Sequence, residues 1–234
     1  MVNIQIEISL EFSYNLHMKK IEAFVFDMDG ILLDTESICE KTWIKAGKEF
    51  GIQDEKAMEL FKKCIGTNKN DTFNILKTSL GADFSVQNFM EQTSIFFSEI
   101  EKSEGIALMP FAKQTLEYLK GKGYRLALAS STRGPVVTRQ LKNASLLSFF
   151  ESLSTGDKVS HSKPDPEIYK LACKSLNLPP EKCAAVEDSP NGIKSAKSAG
   201  LFTIMVPDRI EPDEELLKKV DFVCSSLNEI KLKF

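Results

Sequence analysis

Histidine is scarce in this chain: its 234 residues include only His17 and His161, so a histidine-rich metal centre is not expected. Cysteine is scarce as well. Cys39, Cys64, Cys173, Cys183 and Cys224 are odd in number and form no C-x-x-C. That argues against a disulfide framework or a zinc site and fits free thiols in a reducing compartment. Long apolar runs are missing, and none approaches the roughly 20 residues that a membrane span needs. The N-terminus has neither a basic region nor a continuous apolar segment, so no signal peptide is expected and the expected location is the cytoplasm. Basic excess is absent too. A net charge of −3, without basic tracts or interleaved aromatics, gives no electrostatic reason to expect nucleic acid.

What is present is a composition of 42% hydrophobic and 27% charged residues, which is that of a soluble globular protein able to bury one large core or a core and a smaller one. The apolar run 21–26 reads as a buried strand, and Asp27-Met28-Asp29-Gly30 follows it. Two carboxylates two residues apart, at the end of a strand, are poor groups to bury and good groups to offer phosphorus or a divalent cation.

Asp34 or Thr35 is a plausible helix N-cap, and from there to about residue 104 the apolar spacing is helical, punctuated by Gly51, Gly66 and Gly81. Strand and helix then alternate. The pattern predicts strands at 125–129, 182–187, 201–206 and 221–224. It predicts helices at 112–120, from 136, at 166–176, 190–199 and 211–219. This is an α/β protein: a Rossmann-like parallel sheet core with an inserted helical cap domain. Residues 1–17 form an N-terminal extension, 18–34 and 105–234 the catalytic core, and 35–104 the cap. Apolar residues alternate along Ile4, Ile6, Ile8, Leu10, Phe12 and Tyr14, so the extension reads either as an added strand or as a poorly ordered arm before Met18.

Ligands bind such sheets at the carboxyl ends of the strands, where Asp27, Ser130 and Asp188 stand. For a phosphate monoester, Asp27 can attack phosphorus, and Asp29 can protonate the leaving alcohol and then activate water. Mg²⁺ would suit oxygen ligands from the side chains of Asp27 and Asp188 and the backbone carbonyl of Asp29. Ser130, with the N–H groups after it, can hold a phosphoryl oxygen. Lys163, in Ser162-Lys163-Pro164-Asp165-Pro166, can neutralise phosphate and Asp27.

Asp27-x-Asp29-Gly30, Ser130, Lys163-Pro164-Asp165-Pro166 and Glu187-Asp188-Ser189-x-x-Gly192 resemble the four ordered motifs of the haloacid dehalogenase superfamily, in its phosphatase and phosphomutase branch. The resemblance covers residues 21 to about 221. It implies a Rossmann-like core, a mobile helical cap between the first and second motifs, Asp27 as nucleophile and Asp29 as acid/base. It also implies a Mg²⁺-dependent phosphatase acting on a small phosphorylated metabolite of sugar or nucleoside type, with Gly30, Ser131 and Lys69 as substrate-binding candidates. The alternative is a β-phosphoglucomutase-type sugar phosphomutase. Against it, Cys39 stands where that enzyme's cap places a histidine, and Lys69 where it places an arginine. Trp43 agrees with the mutase pattern but reads as cap core, Cys39 reads as packing, and His161 as a loop residue. Whether Glu187 touches the metal is open from the sequence.

Overall fold

The computed structural model describes residues 21–65 and 69–234, the side chain of Lys69 excepted. The expected N-terminal extension therefore lies outside the described residues. Among the described residues, six strands form one sheet: β1 (Ala23–Phe26), β2 (Arg125–Ser130), β3 (Ser152–Thr155), β4 (Cys183–Glu187), β5 (Phe202–Met205) and β6 (Phe222–Val223). All neighbours are parallel, in the order β3-β2-β1-β4-β5-β6. The direction of winding reverses between β1 and β4, and the crevice at that reversal is where an open α/β sheet receives ligands. Asp27 follows β1 and Asp188 follows β4, so the topology carries both to this crevice.

Both sheet faces are covered, which is why the strands read as apolar runs. One face carries the larger residues Phe24, Phe26, Leu126, Leu128, Val186 and Ile204. They pack on α5 (Ala112–Gly121), α6 (Gly134–Asn143) and the C-terminal α10 (Ile230–Lys233) through Leu116, Leu119, Leu141 and Ile230. The other face is nearly all alanine and cysteine, with Ala23, Ala127, Ala129, Cys183 and Ala185. Small side chains let α7 (Glu167–Ser175) and α8 (Pro190–Ala199) sit close, so that Tyr169 reaches the middle of the molecule.

Between β1 and α5 come α1 (Thr35–Glu49), α2 (Asp54–Cys64), α3 (Lys69–Leu80) and α4 (Val86–Glu104). They bury a cluster of their own, in which Trp43 packs tilted against Phe61 and edge-on to Phe89. Two paired linkers join this bundle to the sheet: Asp34 N–H donates to Ala107 O at 2.9 Å and Met109 N–H to Leu32 O at 3.0 Å. Among the described residues, no helix is long and apolar enough to cross a membrane.

Two local expectations change. Strand β3 was not expected; Ser152-Leu153-Ser154-Thr155 is short and hydroxyl-rich, and its pairing with β2 along Ala127 to Ser130 makes it a strand. The helix expected over 211–219 is the single turn α9 (Glu214–Leu217). Asp213, after Pro212, caps that turn by accepting from Leu216 N–H at 2.8 Å, so the helix cannot begin earlier.

Candidate active site

Asp27 continues the β1 ladder, its N–H donating to Val186 O at 3.0 Å. The chain then closes a tight loop in which Leu32 and Leu33 N–H both return to Met28 O. Met28, Ile31, Leu32 and Leu33 are buried and anchor that loop from below, leaving the two aspartates on its upper side. Gly30 has φ +75°, and a Cβ there would lie 2.5 Å from Asp188 Oδ2. Only glycine allows the first-motif loop and Asp188 to approach this closely.

Lys163 enters from the loop before α7 and is almost wholly buried. Its ammonium donates to Asp27 Oδ1 at 2.5 Å, Glu187 Oε1 at 2.6 Å and Ala129 O at 2.9 Å, using all three protons. Burial alone would lower its pKa; Asp27 and Glu187 outweigh that and raise it, so Lys163 stays charged.

Glu187 is fully buried with both oxygens engaged. Oε1 accepts from Lys163 and from the Tyr169 hydroxyl at 2.9 Å. Oε2 accepts from Asp188 N–H at 3.1 Å, Ser189 N–H at 3.2 Å and Ser189 Oγ at 3.1 Å. The geometry therefore makes Glu187 a brace that fixes Lys163 on one side and the Asp188 loop on the other. Ser189 caps α8 by accepting from Gly192 N–H at 3.1 Å, and Pro190 opens the helix.

Asp29 lies beside the second-strand loop. Thr132 Oγ1 donates to Asp29 Oδ2 at 3.1 Å and Ser130 Oγ approaches the same oxygen at 3.4 Å, while Ser130 Oγ accepts from Thr132 N–H at 3.1 Å. Burial raises the pKa of Asp29, and the hydroxyls of Thr35 and Thr132 pull it partly back. Ser131 is exposed on this loop.

Asp27, Asp188 and Glu187 each offer a carboxylate oxygen within 4.8 Å of the others. One ammonium faces these three acids. Burial raises Asp27 to about 8 against the pull of Lys163, with Glu187 and Asp29 adding to the rise. Asp188 is raised well above the carboxylate range by burial, then by Glu187 and Asp27. No donor among the described residues is bonded to the Asp188 carboxylate. An acid cluster of this kind, rich in hard oxygen and short of positive charge, fits a divalent cation such as Mg²⁺. With both Glu187 oxygens already engaged, the side chains of Asp27 and Asp188 are the members of this group that could hold it.

Of the expected site residues, Asp27, Asp29, Gly30, Ser130, Lys163 and Asp188 gather at the crevice. Lys69 opens α3, and its side chain lies outside the described residues. Thr132 and Tyr169 join the site without having been singled out. The hydroxyl run Ser130-Ser131-Thr132 was a usable signal for the first; nothing local marked Tyr169. An open cleft runs alongside, lined by Asn70 of the bundle and by Ser160, His161, Ser162 and Asp165 of the core.

Comparison with known proteins points to the same family as the four motifs. Residues 24–206 match the family model described as haloacid dehalogenase-like hydrolase. A "Phosphorylated carbohydrates phosphatase" of Thermotoga maritima is 35% identical over 188 residues, covering 79% of this chain and 84% of its own. The crystal structure of CbbY from Rhodobacter sphaeroides in complex with phosphate superposes with a TM-score of 0.72 at 28% identity, over 90% of this chain and 96% of that one. A β-phosphoglucomutase from Clostridium difficile gives a TM-score of 0.71 at 26% identity, over 91% and 96%. With its sheet, its motif order and these relatives in agreement, the chain belongs to the haloacid dehalogenase-like hydrolases.

Proposed function

We propose that this haloacid dehalogenase-like phosphatase is a Mg²⁺-dependent enzyme that hydrolyses a small phosphorylated metabolite, of sugar or nucleoside type, through an aspartyl-phosphate on Asp27. The observation that carries the reading is the convergence of Asp27, Asp29 and Asp188 on one crevice, where the buried ammonium of Lys163 is bonded to Asp27. Mg²⁺ held there would offset the negative charge between carboxylates and phosphate.

In the first step an Asp27 oxygen attacks phosphorus, the bond from phosphorus to the leaving oxygen breaks, and Asp29 gives that oxygen its proton. A raised pKa suits Asp29 to arrive protonated. In the second step Asp29 takes a proton from water, the water oxygen attacks phosphorus, and the bond to Asp27 breaks. Lys163 steadies the charge on Asp27 throughout, and Ser130, Ser131 and the N–H groups of their loop receive the phosphoryl oxygens. Residues 35–104 act as a cap that admits the substrate and excludes bulk water, and Lys69 is the cap residue we assign to specificity.

Hydrolysis is favoured over the mutase alternative because Cys39 cannot replace a cap histidine: burial, then Glu36 and Asp29, push its thiol up to about 12. A neutral thiol neither carries a proton to and fro at neutral pH nor binds a second phosphate. The relative named for phosphorylated carbohydrates supports a sugar phosphate as substrate. Five free cysteines support a reducing, cytoplasmic setting.

A panel of phosphorylated metabolites, read by phosphate release, tests the function. Release should vanish with EDTA and return with Mg²⁺. Asp27→Asn should lower turnover at least about a thousandfold with the circular dichroism spectrum retained. Wild-type turnover in that variant would remove the mechanism. Glucose 6-phosphate accumulating faster than free phosphate, from β-glucose 1-phosphate and a bisphosphate primer, would reinstate the mutase.

A further inference from the structure

Among the described residues, Tyr169 is the largest side chain that is fully buried. It stands in the first turn of α7 and shares an apolar cluster with Ala127, Ala129 and Ala185 of the sheet. Space alone does not ask for a tyrosine there. A phenylalanine ring would fill the same volume, and a buried hydroxyl is unfavourable unless it is bonded. The hydroxyl proton goes to Glu187 Oε1 at 2.9 Å, and the Lys163 ammonium stands over the ring, 5.2 Å from its centre. Burial, then the charges of Glu187 and Asp27, raise the hydroxyl's pKa well above its ordinary value, so it stays a donor.

Two carboxylates share the Lys163 ammonium, Asp27 Oδ1 at 2.5 Å and Glu187 Oε1 at 2.6 Å. Only the bond to Asp27 serves the reaction directly. The Tyr169 hydroxyl acts on this division at a single atom: with Lys163 it fills the two lone pairs of Glu187 Oε1. An oxygen whose negative charge is shared between two donors attracts each of them less. Glu187 therefore holds the ammonium more loosely than it would alone, and Asp27 keeps its share. The ring adds a second contact, since a cation within about 6 Å of a ring centre is drawn to its face.

We propose that Tyr169 is a positioning residue for Lys163: its hydroxyl limits the hold of Glu187 on the ammonium, and its ring backs the ammonium, so that Lys163 stays against Asp27. The assignment rests on Asp27 being the nucleophile of the proposed phosphatase. Tyr169 itself touches neither Asp27 nor the substrate in this account; it acts through Glu187 and Lys163.

The test uses the full chain with Tyr169→Phe, which keeps the ring and removes the hydroxyl. The side-chain ammonium signal of Lys163 in a proton–nitrogen correlation spectrum, identified by its loss in Lys163→Arg, reads the position of the cation without any substrate. Steady-state kinetics on the best substrate of the panel read the consequence. In Tyr169→Phe the ammonium signal should shift and exchange with water about tenfold faster, and kcat should fall about tenfold with KM moving less than about threefold. Cys173→Ala trims the packing of the same helix one turn on. It should lower the melting temperature by about 4 °C and leave the ammonium signal in place and kcat within about twofold. An unchanged ammonium signal in Tyr169→Phe, a shifted signal with unchanged kcat, or an equal loss of kcat in Cys173→Ala overturns the proposal. If the wild type released phosphate from no monoester, the phosphatase reading would fall, while the ammonium signal would still decide whether Tyr169 places Lys163.

Discussion

Gly30 shows how one residue joins two motifs. Its φ of +75° costs a side-chain-bearing residue about 1–2 kcal/mol, and any Cβ would press on Asp188. Gly30→Ala should therefore lower stability by roughly that amount and also raise the Mg²⁺ concentration needed for half-maximal phosphate release by about tenfold, because the displaced carboxylate is one of the proposed ligands. A thermal melt and a Mg²⁺ titration check the two effects; an unchanged titration would detach Asp188 from the metal. Asp27, Asp29 and Asp188 could be singled out from the sequence because four motifs follow one another in order, each at a strand end or in the loop beyond it, although an Asp pair after a strand is by itself often just a turn. Glu187 could not be resolved that way. Next to Asp188 it looks like a second metal ligand, and only its bonds to Lys163, Tyr169 and Ser189 make it a brace.

At the scale of elements, local chemistry was readable. Asp34 and Ser189 are caps because a short oxygen-bearing side chain can reach the N–H three residues on, and that needs no partner elsewhere. Strand β3 was not readable, since its identity depends on β2 beside it. Yet β3 bears on α6. Asp157, just beyond it, accepts from Gly134 N–H at 2.7 Å and from Thr155 Oγ1 at 2.8 Å, at the start of a helix whose first turn has no acid of its own. These bonds, the Gly134 N–H first, hold its carboxyl below the usual range. An unfolded Asp titrates near 3.9, so the stabilisation is complete above about pH 5 and is lost as pH falls through the lower folded value. Asp157→Asn should be less stable than the wild type at pH 7, by a margin that closes toward pH 3. Urea unfolding at both values measures it; a margin independent of pH would remove the charge from the account.

At the scale of the molecule, two separately packed cores meet at paired linkers. Phe89 is fully buried in the helical bundle and sits edge-on to Trp43 at 5.3 Å and to Phe50 at 5.6 Å. Phe89→Ala should cost the bundle about 3–5 kcal/mol. Trp43 is the sole tryptophan, so its fluorescence reports on the bundle alone. In the variant that signal should change at a lower temperature than the far-ultraviolet dichroism; coincident transitions would mean that bundle and sheet unfold as one. The sequence by itself determined the apolar strands, the helix caps, the helical insertion and the order of the four motifs, because each depends on residues within a few positions of one another. The tertiary structure alone decided that Asp27 meets Lys163 across 136 positions, that Tyr169 props Glu187, and that Arg209 closes over Ser37. It decided the charge balance of the acids as well. Desolvation and pairing are set by whatever the crossovers of a parallel sheet bring alongside, and chain neighbours carry no record of that.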